Sequence, residues 1–149
     1  MSDDTRFDGG MRAQMPSLHD PDVANDVLDA FLDPDDRIGG GLAFLFCDDD
    51  GRLLQPMLVS DVPERATDRQ RWTAMRWATG LCEMAGDEHN GPLSLIVAIV
   101  RETGPVRDDD RAWHQVALDA CAEVGVPLIA VHVVTLEGAL VLPTASRAA

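Results

Sequence analysis

The strongest candidates for chemistry surround an acidic turn between a buried strand and a helix. Asp110 and His114 are four residues apart, so an α-helix places them on one flank. Glu102 lies just before the turn, and His132 lies in the apolar segment after the helix. Two carboxylates and two imidazoles can hold a transition metal, provided that His132 points toward the turn. One hypothesis is therefore a metal-dependent hydrolase.

The same turn also has interpretations that need no metal. The aspartates at 108–110 can cap the following helix and form ion pairs with nearby arginines, Arg101 in particular. A lone histidine in an apolar strand, such as His132, is more often a hydrogen-bonded core residue. Arg101 and the acidic turn could also bind a small polar ligand, which is a third hypothesis.

Composition excludes several functional classes. All twelve basic residues are arginine, so lysine Schiff-base and P-loop chemistry are excluded. The formal net charge of −14 disfavours nucleic acid as a partner. Cys47, Cys82 and Cys121 lie in apolar surroundings, which predicts buried, reduced thiols in a cytoplasmic protein. No apolar run approaches the roughly 18 residues of a membrane helix, so no membrane is expected as a partner.

The elements that must position the acidic turn form a strand–helix–strand unit behind a hairpin. The hairpin turns at three aspartates and a glycine, without the twelve-residue pattern of a calcium loop, and Pro56 favours an edge position. The unit predicts a parallel crossover, so the sheet is mixed. The predicted segments are a linker over 34–41, strands over 42–47 and 52–59, a helix over 68–85, a strand over 93–100, a helix over 110–124 capped by Asp108 or Asp109 and ended by Gly125, and strands over 127–135 and 139–142.

An acidic N-terminal region precedes this unit. Residues 1–19 are predicted as a mobile acidic tail, and a helix over 20–33 begins at an Asp-Pro pair. Val27 and Phe31 belong to the apolar side of this helix, and aspartates occupy the other side. The helix can dock on its own domain or lie in the groove of a partner. Residues 144–149 are predicted to be frayed.

The helix over 68–85 has a broader apolar arc than an ordinary surface helix. Trp72 belongs to this arc, and Trp77 and Met84 extend it on one flank. Either the N-terminal helix or another subunit must cover it. Together with Val27 and Phe31, these three residues form the predicted interaction surface.

The order of elements resembles the RadC-like branch of the JAB/MPN superfamily over residues 41–143. The resemblance depends on FLFCDDDGRLL as the opening hairpin, LIVAIVRETG as the central strand, and DDDRAWHQVALDACAEVGVPLIAVHVV as the helix and next strand. It implies an α/β domain over 20–143 with a mixed sheet, flanking helices and a JAB/MPN-like core over 41–143. Active members hold zinc through a His-x-His at the end of the central strand and an aspartate at the next helix, with a glutamate as general base.

This chain departs from that pattern. The His-x-His-Pro-Ser-Gly run of the family falls on IVRETG at 99–104, so the histidine positions are Ile99 and Arg101. The aspartate ligand corresponds to Asp110, or to Asp109 with a shorter turn. The strand over 52–60 has no glutamate for the general base. A catalytic zinc needs about three protein ligands, and an arginine repels a cation, so no metal and no cofactor are expected.

These observations favour a catalytically inactive interaction module, with a protein partner or a second copy of the chain. The alternative is the metal-dependent hydrolase with relocated ligands at Asp110, His114 and His132. The candidate vestigial pocket comprises Arg101, Glu102, Thr103, Asp109, Asp110, His114 and His132.

Overall fold

The computed structural model describes residues 16–86 and 91–143, which form an α/β domain with a five-stranded mixed sheet. Residues 1–15, 87–90 and 144–149 lie outside the described part, and so do most of the predicted mobile tail and the predicted frayed C-terminus. In chain order the elements are α1 (Pro21–Phe31), α2 (Pro34–Gly39), β1 (Gly41–Cys47), β2 (Leu53–Val59), α3 (Asp68–Gly86), β3 (Ser94–Val100), α4 (Asp108–Val124), β4 (Leu128–Thr135) and β5 (Gly138–Val141).

The sheet has the strand order β2-β1-β3-β4-β5. β1 pairs antiparallel with both β2 and β3, and β5 pairs antiparallel with β4. β3 and β4 are parallel and are connected through α4, so the predicted crossover and mixed sheet are confirmed. Every residue of β3 is buried, as its uninterrupted apolar sequence predicts for a central strand.

Helices cover both faces of this sheet. Alternate residues of a strand point to opposite faces, so β1 and β3 each contribute side chains to two separate cores. One core lies under α3 and α4, and the other lies under α1. The first includes Leu42, Phe44, Val97, Met75 and Trp113, and the second includes Leu45, Ile96, Leu28 and Leu32.

Two successive helices begin with the same Asp-Pro sequence. Asp20 accepts a hydrogen bond from the N–H of Asp22, which confirms the predicted start of α1. Asp33 and Asp36 form a reciprocal capping box, and Pro34 occupies the first turn. The prediction of a linker over 34–41 was therefore wrong, because this local signal is sufficient for the six-residue helix α2.

Helix α1 docks on its own domain, one of the two predicted alternatives. Val27 and Phe31 are partly buried against the second core, together with the fully buried Leu28. The predicted mobile tail also ends earlier than residue 19. Leu18 is buried and its N–H donates to Gly51 O at 2.8 Å, and Ser17 Oγ donates to Asp50 O at 2.8 Å.

Arg37 connects α1 to the end of β4. Its guanidinium donates twice to Leu32 O, at 3.0 and 2.7 Å, and once to Asp29 O at 3.0 Å. It also donates to Thr135 O at 2.9 Å. Carbonyl groups at the end of a helix lack intrahelical partners, so one buried arginine satisfies several of them. This clamp holds the C-terminus of α1 against the sheet.

The β2 edge is protected against pairing with another strand. Pro56 has no N–H to donate, and the Gln55 side chain donates to its carbonyl at 2.9 Å. Association through this edge would therefore lack backbone hydrogen bonds at the middle of the strand. None of the helices in residues 16–86 and 91–143 has the length and apolar character needed to cross a membrane.

We predict that Arg37→Gln lowers the free energy of unfolding by about 3 kcal/mol, because several buried carbonyls lose their donor. Urea denaturation followed by circular dichroism measures this change. Arg111→Gln is the control, since the Arg111 side chain is 66% exposed, and we expect its effect to be below about 0.5 kcal/mol. Equal denaturation midpoints for the two variants would contradict the clamp.

Candidate functional site

A cleft of about 420 Å³ lies at the carboxyl end of β3. Open α/β sheets bind ligands at this end of their strands, and the volume suits a small molecule. Four segments meet here: the residues from α2 into β1, the loop after β2, the end of β3, and the start of α4. The lining includes Ile38, Gly40, Val62, Glu64, Arg101, Glu102, Thr103, Arg107, Asp109 and Trp113.

A buried ion pair lies at the base of this cleft. Arg101 Nη2 is 3.0 Å from Asp110 Oδ2, and the two side chains are 10% and 0% exposed. The same Nη2 also donates to Gly104 O at 3.3 Å and to Pro105 O. Burial is the largest influence on Arg101 and lowers its pKa, whereas the charge of Asp110 opposes that shift. The predicted ion pair between Arg101 and the acidic turn is confirmed.

The other two aspartates of the turn also have arginine partners. Asp109 Oδ1 is 2.6 Å from Arg71 Nη2, and Asp108 Oδ1 is 2.9 Å from Arg111 Nη1. Neither aspartate is the N-cap of α4, so that prediction was wrong. The N-cap is Arg107, whose guanidinium can only donate, and its N–H donates to Asp110 Oδ2 at 2.8 Å.

The two histidines of the hypothetical metal site do not meet. His132 pairs in register with Ala98, which faces the core under α1. Its Nδ1 is 2.8 Å from Asn25 Oδ1 on α1, within hydrogen-bond distance. His114 is buried on α4, on the other side of the sheet, where burial lowers its pKa. The condition that His132 points toward the turn is not met.

Two polar atoms of these histidines lack a partner within the described ranges. His114 Nε2 and His132 Nε2 are buried and accept or donate no hydrogen bond there. Burial lowers the pKa of His132 to about 4. Both imidazoles are therefore held neutral near pH 7.

At the positions where the family resemblance implies zinc ligands, the residues do not fit zinc. Ile99 has no donor atom, and Arg101 carries a positive charge that is engaged by Asp110. Asp110 uses Oδ2 for Arg101 and for the N–H of Arg107. One carboxylate with these neighbours is not a zinc site, and no reaction step through zinc is derived.

Among the described residues, the carboxylates of Asp48, Asp49 and Asp50 form the group whose ligand atoms lie within 4.8 Å of one another. Asp48 Oδ1 accepts the N–H groups of Asp50 and Arg52, both at 2.9 Å. Asp50 Oδ2 is 3.1 Å from Arg52 Nη1. These contacts match the predicted turn between β1 and β2, because the carboxylates of Asp48 and Asp50 bind groups of the turn itself.

Four members of the predicted pocket line the cleft, namely Arg101, Glu102, Thr103 and Asp109. Thr103 Oγ1 donates to Glu137 Oε1 at 3.1 Å, and Glu102 is exposed at the rim. Asp110 does not line the cleft but pairs with Arg101, which does, and His114 and His132 are not part of the lining. Sequence reasoning missed other lining residues because they come from distant segments, although the antiparallel pairing of β1 with β3 indicates that Gly40 and Gly41 lie beside Val100. The lining residues outside the predicted pocket are Ile38, Gly39, Gly40, Gly41, Leu42, Val62, Pro63, Glu64, Ile99, Val100, Arg107 and Trp113.

The predicted interaction surface divides between the two faces of the sheet. Val27 and Phe31 belong to α1 and pack against the second core on one face, whereas Trp72 belongs to α3 and is partly buried against the first core on the other. Trp77 and Met84 remain 46% and 72% exposed on α3. Because α1 lies on the opposite face, it does not cover the apolar arc of α3.

Comparisons of the chain with protein-family models, curated proteins and solved structures find no significant match.

We predict that Arg101→Met destabilises the fold by about 3–5 kcal/mol, because Asp110 is left buried without its counter-charge. The double variant Arg101→Met/Asp110→Asn should be at least about 1 kcal/mol more stable than Arg101→Met, since no buried charge remains and the amide oxygen can still accept from Arg107. Urea denaturation of the single and double variants measures the coupling. A double variant less stable than Arg101→Met would rule out a coupled pair.

We also predict that acid weakens the fold through His132. The pKa of His132 is lowered in the folded state, so the unfolded state binds the proton more tightly between pH 6.5 and about 4. The contribution of neutral His132 to the free energy of unfolding is therefore present above pH 6.5. About 2 kcal/mol of it is lost by pH 5. Unfolding free energies at pH 7 and pH 5 should differ by that much more in the wild type than in His132→Gln. An identical pH dependence in both proteins would refute this role.

Proposed function

We propose that this chain is a non-catalytic interaction module that pairs with a second copy of itself through α3. The observation that carries the proposal is an uncharged line of residues along the outer side of that helix. Thr73, Trp77, Gly80 and Met84 recur at i, i+4, i+7 and i+11, which is one helical line. We call it the α3 stripe.

The α3 stripe is unusual for the outer side of a helix in a chain with 26% charged residues. Trp77 is partly fixed by Phe44, with ring centroids 5.9 Å apart, and still has nearly half of its surface exposed. Met84 is the most exposed large apolar residue among those described. Exposed tryptophan and methionine side chains on one line are typical of protein interfaces.

Gly80 lies at the centre of the α3 stripe without an intramolecular reason to be glycine. No described atom lies within 4 Å of an ideal Cβ at this position, and the backbone is helical. Glycine in a helix interior costs about 1 kcal/mol relative to alanine. Close approach by the backbone of another helix gives that cost a physical reason.

The residues around Gly80 are arranged to match a second copy in an antiparallel crossing. Trp77 and Met84 lie three before and four after Gly80, so each would meet the other residue type across a two-fold axis. Arg76 and Glu83 flank the stripe four before and three after, so they would also oppose each other. Arg76 lies over the Trp72 ring, 4.7 Å from its centroid. Its Nη2 is also 3.3 Å from Glu123 Oε2 in an exposed ion pair, so Arg76 would have to share its charge between Glu123 and the partner's Glu83.

The core of this module is proposed to be a RadC-like version of the JAB/MPN core. The element order from β1 to β5 supports this relationship, and the Arg101–Asp110 pair gives a physical reason for loss of catalysis. A cytoplasmic location is proposed from the three free, buried cysteines, whose pKa values burial raises to about 11 or 12. The net charge of −14 supports a partner other than nucleic acid.

Sedimentation equilibrium at micromolar concentrations tests the proposed dimer. We expect Gly80→Glu to raise the dimer dissociation constant at least about tenfold, because a charged side chain enters the crossing. The monomer should fold normally, since glutamate favours helix more than glycine and meets no described atom. Leu140→Glu is the control, because Leu140 is also an exposed apolar residue but lies on the edge strand β5 and not on α3.

Charge reversal tests the antiparallel geometry. Arg76→Glu and Glu83→Arg should each weaken the dimer, and the double variant should recover most of the affinity. A wild-type chain that remains monomeric throughout the range, or a dimer that Gly80→Glu leaves intact, would refute the proposal.

A further inference from the structure

We propose that the cleft at the carboxyl end of β3 binds a small organic oxyanion, with the anionic group near Arg101 and Arg107 and an apolar part against the side walls. This site lies at the end of the sheet, and its residues are separate from the α3 stripe. The proposal is therefore independent of dimerisation.

Two nitrogens of the Arg101 guanidinium, unpaired within the described part of the chain, are the first observation that points to such a ligand. The Arg101 side chain lines the cleft and is nine-tenths buried, yet Nε and Nη1 have no hydrogen-bond partner within the described ranges. Nη2, by contrast, is shared among Asp110 Oδ2 and the carbonyls of Gly104 and Pro105. One nitrogen with two hydrogens thus serves three acceptors while two neighbouring donors serve none. A turn of the guanidinium that keeps the Asp110 contact would present an unused donor to an acceptor in the cleft.

The start of α4 provides the second cationic element. Arg107 lines the cleft, and its side chain is 42% exposed, so its guanidinium is accessible to a ligand. It is also the N-cap of α4 and supplies no acceptor to the first-turn N–H groups. Those N–H groups and the helix dipole favour an anion at this end of α4.

The acidic residues in and next to the cleft are compatible with a ligand that carries one negative charge. Asp109 is paired with Arg71 at 2.6 Å, and Asp110 is paired with Arg101. Glu64 lies 4.0 Å from Arg107 and is mostly exposed, so it can move away at little cost. Glu102 is exposed at the rim and disfavours ligands with several negative charges. These charges favour a monoanion over a polyanion.

The remaining walls are apolar and select the body of the ligand. Ile38, Leu42, Val62, Ile99 and Trp113 all line the cleft. Small-molecule sites combine such walls with a few polar groups that fix orientation. A short-chain carboxylate, or a small phosphate monoester carrying one charge, has both features.

Titration of ¹⁵N-labelled protein followed by amide chemical shifts tests the site. Butyrate, inorganic phosphate, n-butylammonium and 1-butanol separate the anionic group from the apolar body. We expect butyrate, and more weakly phosphate, to shift the amides of Gly40, Gly41 and Arg107 in a saturable manner. Neither butylammonium nor butanol should do so. If phosphate binds more tightly than butyrate, the oxyanion site stands and phosphate monoesters become its ligand class.

Arg107→Gln is the diagnostic variant, because this partly exposed residue can be replaced without leaving a buried charge. It should weaken butyrate binding about tenfold, the effect of one lost charge-assisted hydrogen bond. Arg111→Gln is matched in charge and lies one turn further along α4, where it pairs with Asp108 outside the cleft, and it should bind like the wild type. Absence of saturable shifts with either anion, equal binding by Arg107→Gln, or saturable binding of butylammonium would overturn the proposal.

Discussion

The complete burial of β3 is the constraint on which the rest of the structure depends. A strand without a polar face must be covered on both sides, so helices are required above and below the sheet. α3 and α4 cover one face, and α1 covers the other with help from the Arg37 clamp. Because α1 is needed for this purpose, it is not available to cover the outer side of α3. The exposed α3 stripe is thus a consequence of how β3 is buried.

The end of β3 has the opposite character, since its backbone must leave the sheet where two arginines and three aspartates meet. Arg101 and Asp110 enter the interior only because they neutralise each other. Asp109 and Asp108 are neutralised by arginines from α3 and α4. The charged side chains at this end of β3 are therefore engaged with one another and do not form the donor set that a transition metal needs. The same pairing leaves unused arginine donors beside a cleft with apolar walls, which suits an oxyanion better than a cation.

The two proposed surfaces use different physical principles and lie in different parts of the domain. The α3 stripe depends on apolar area, a close backbone approach and self-complementary charges. The cleft depends on a fixed positive charge in a confined space with limited water. Since neither surface shares residues with the other, a molecule in the cleft does not block pairing through α3.

The sequence alone determined the elements whose reasons are local. The Asp20-Pro21 pair marks the start of α1, the uninterrupted apolar pattern marks β3, and Gly125 ends α4 in the left-handed conformation, with φ of 75°. The ion pair of Arg101 with the acidic turn was also predictable, because both lie at the ends of consecutive elements. Only the tertiary structure decided that His132 faces Asn25 rather than His114, since one register position sets the face of a strand residue. The cleft likewise depends on segments around residues 40, 63, 101 and 107, which no local pattern brings together.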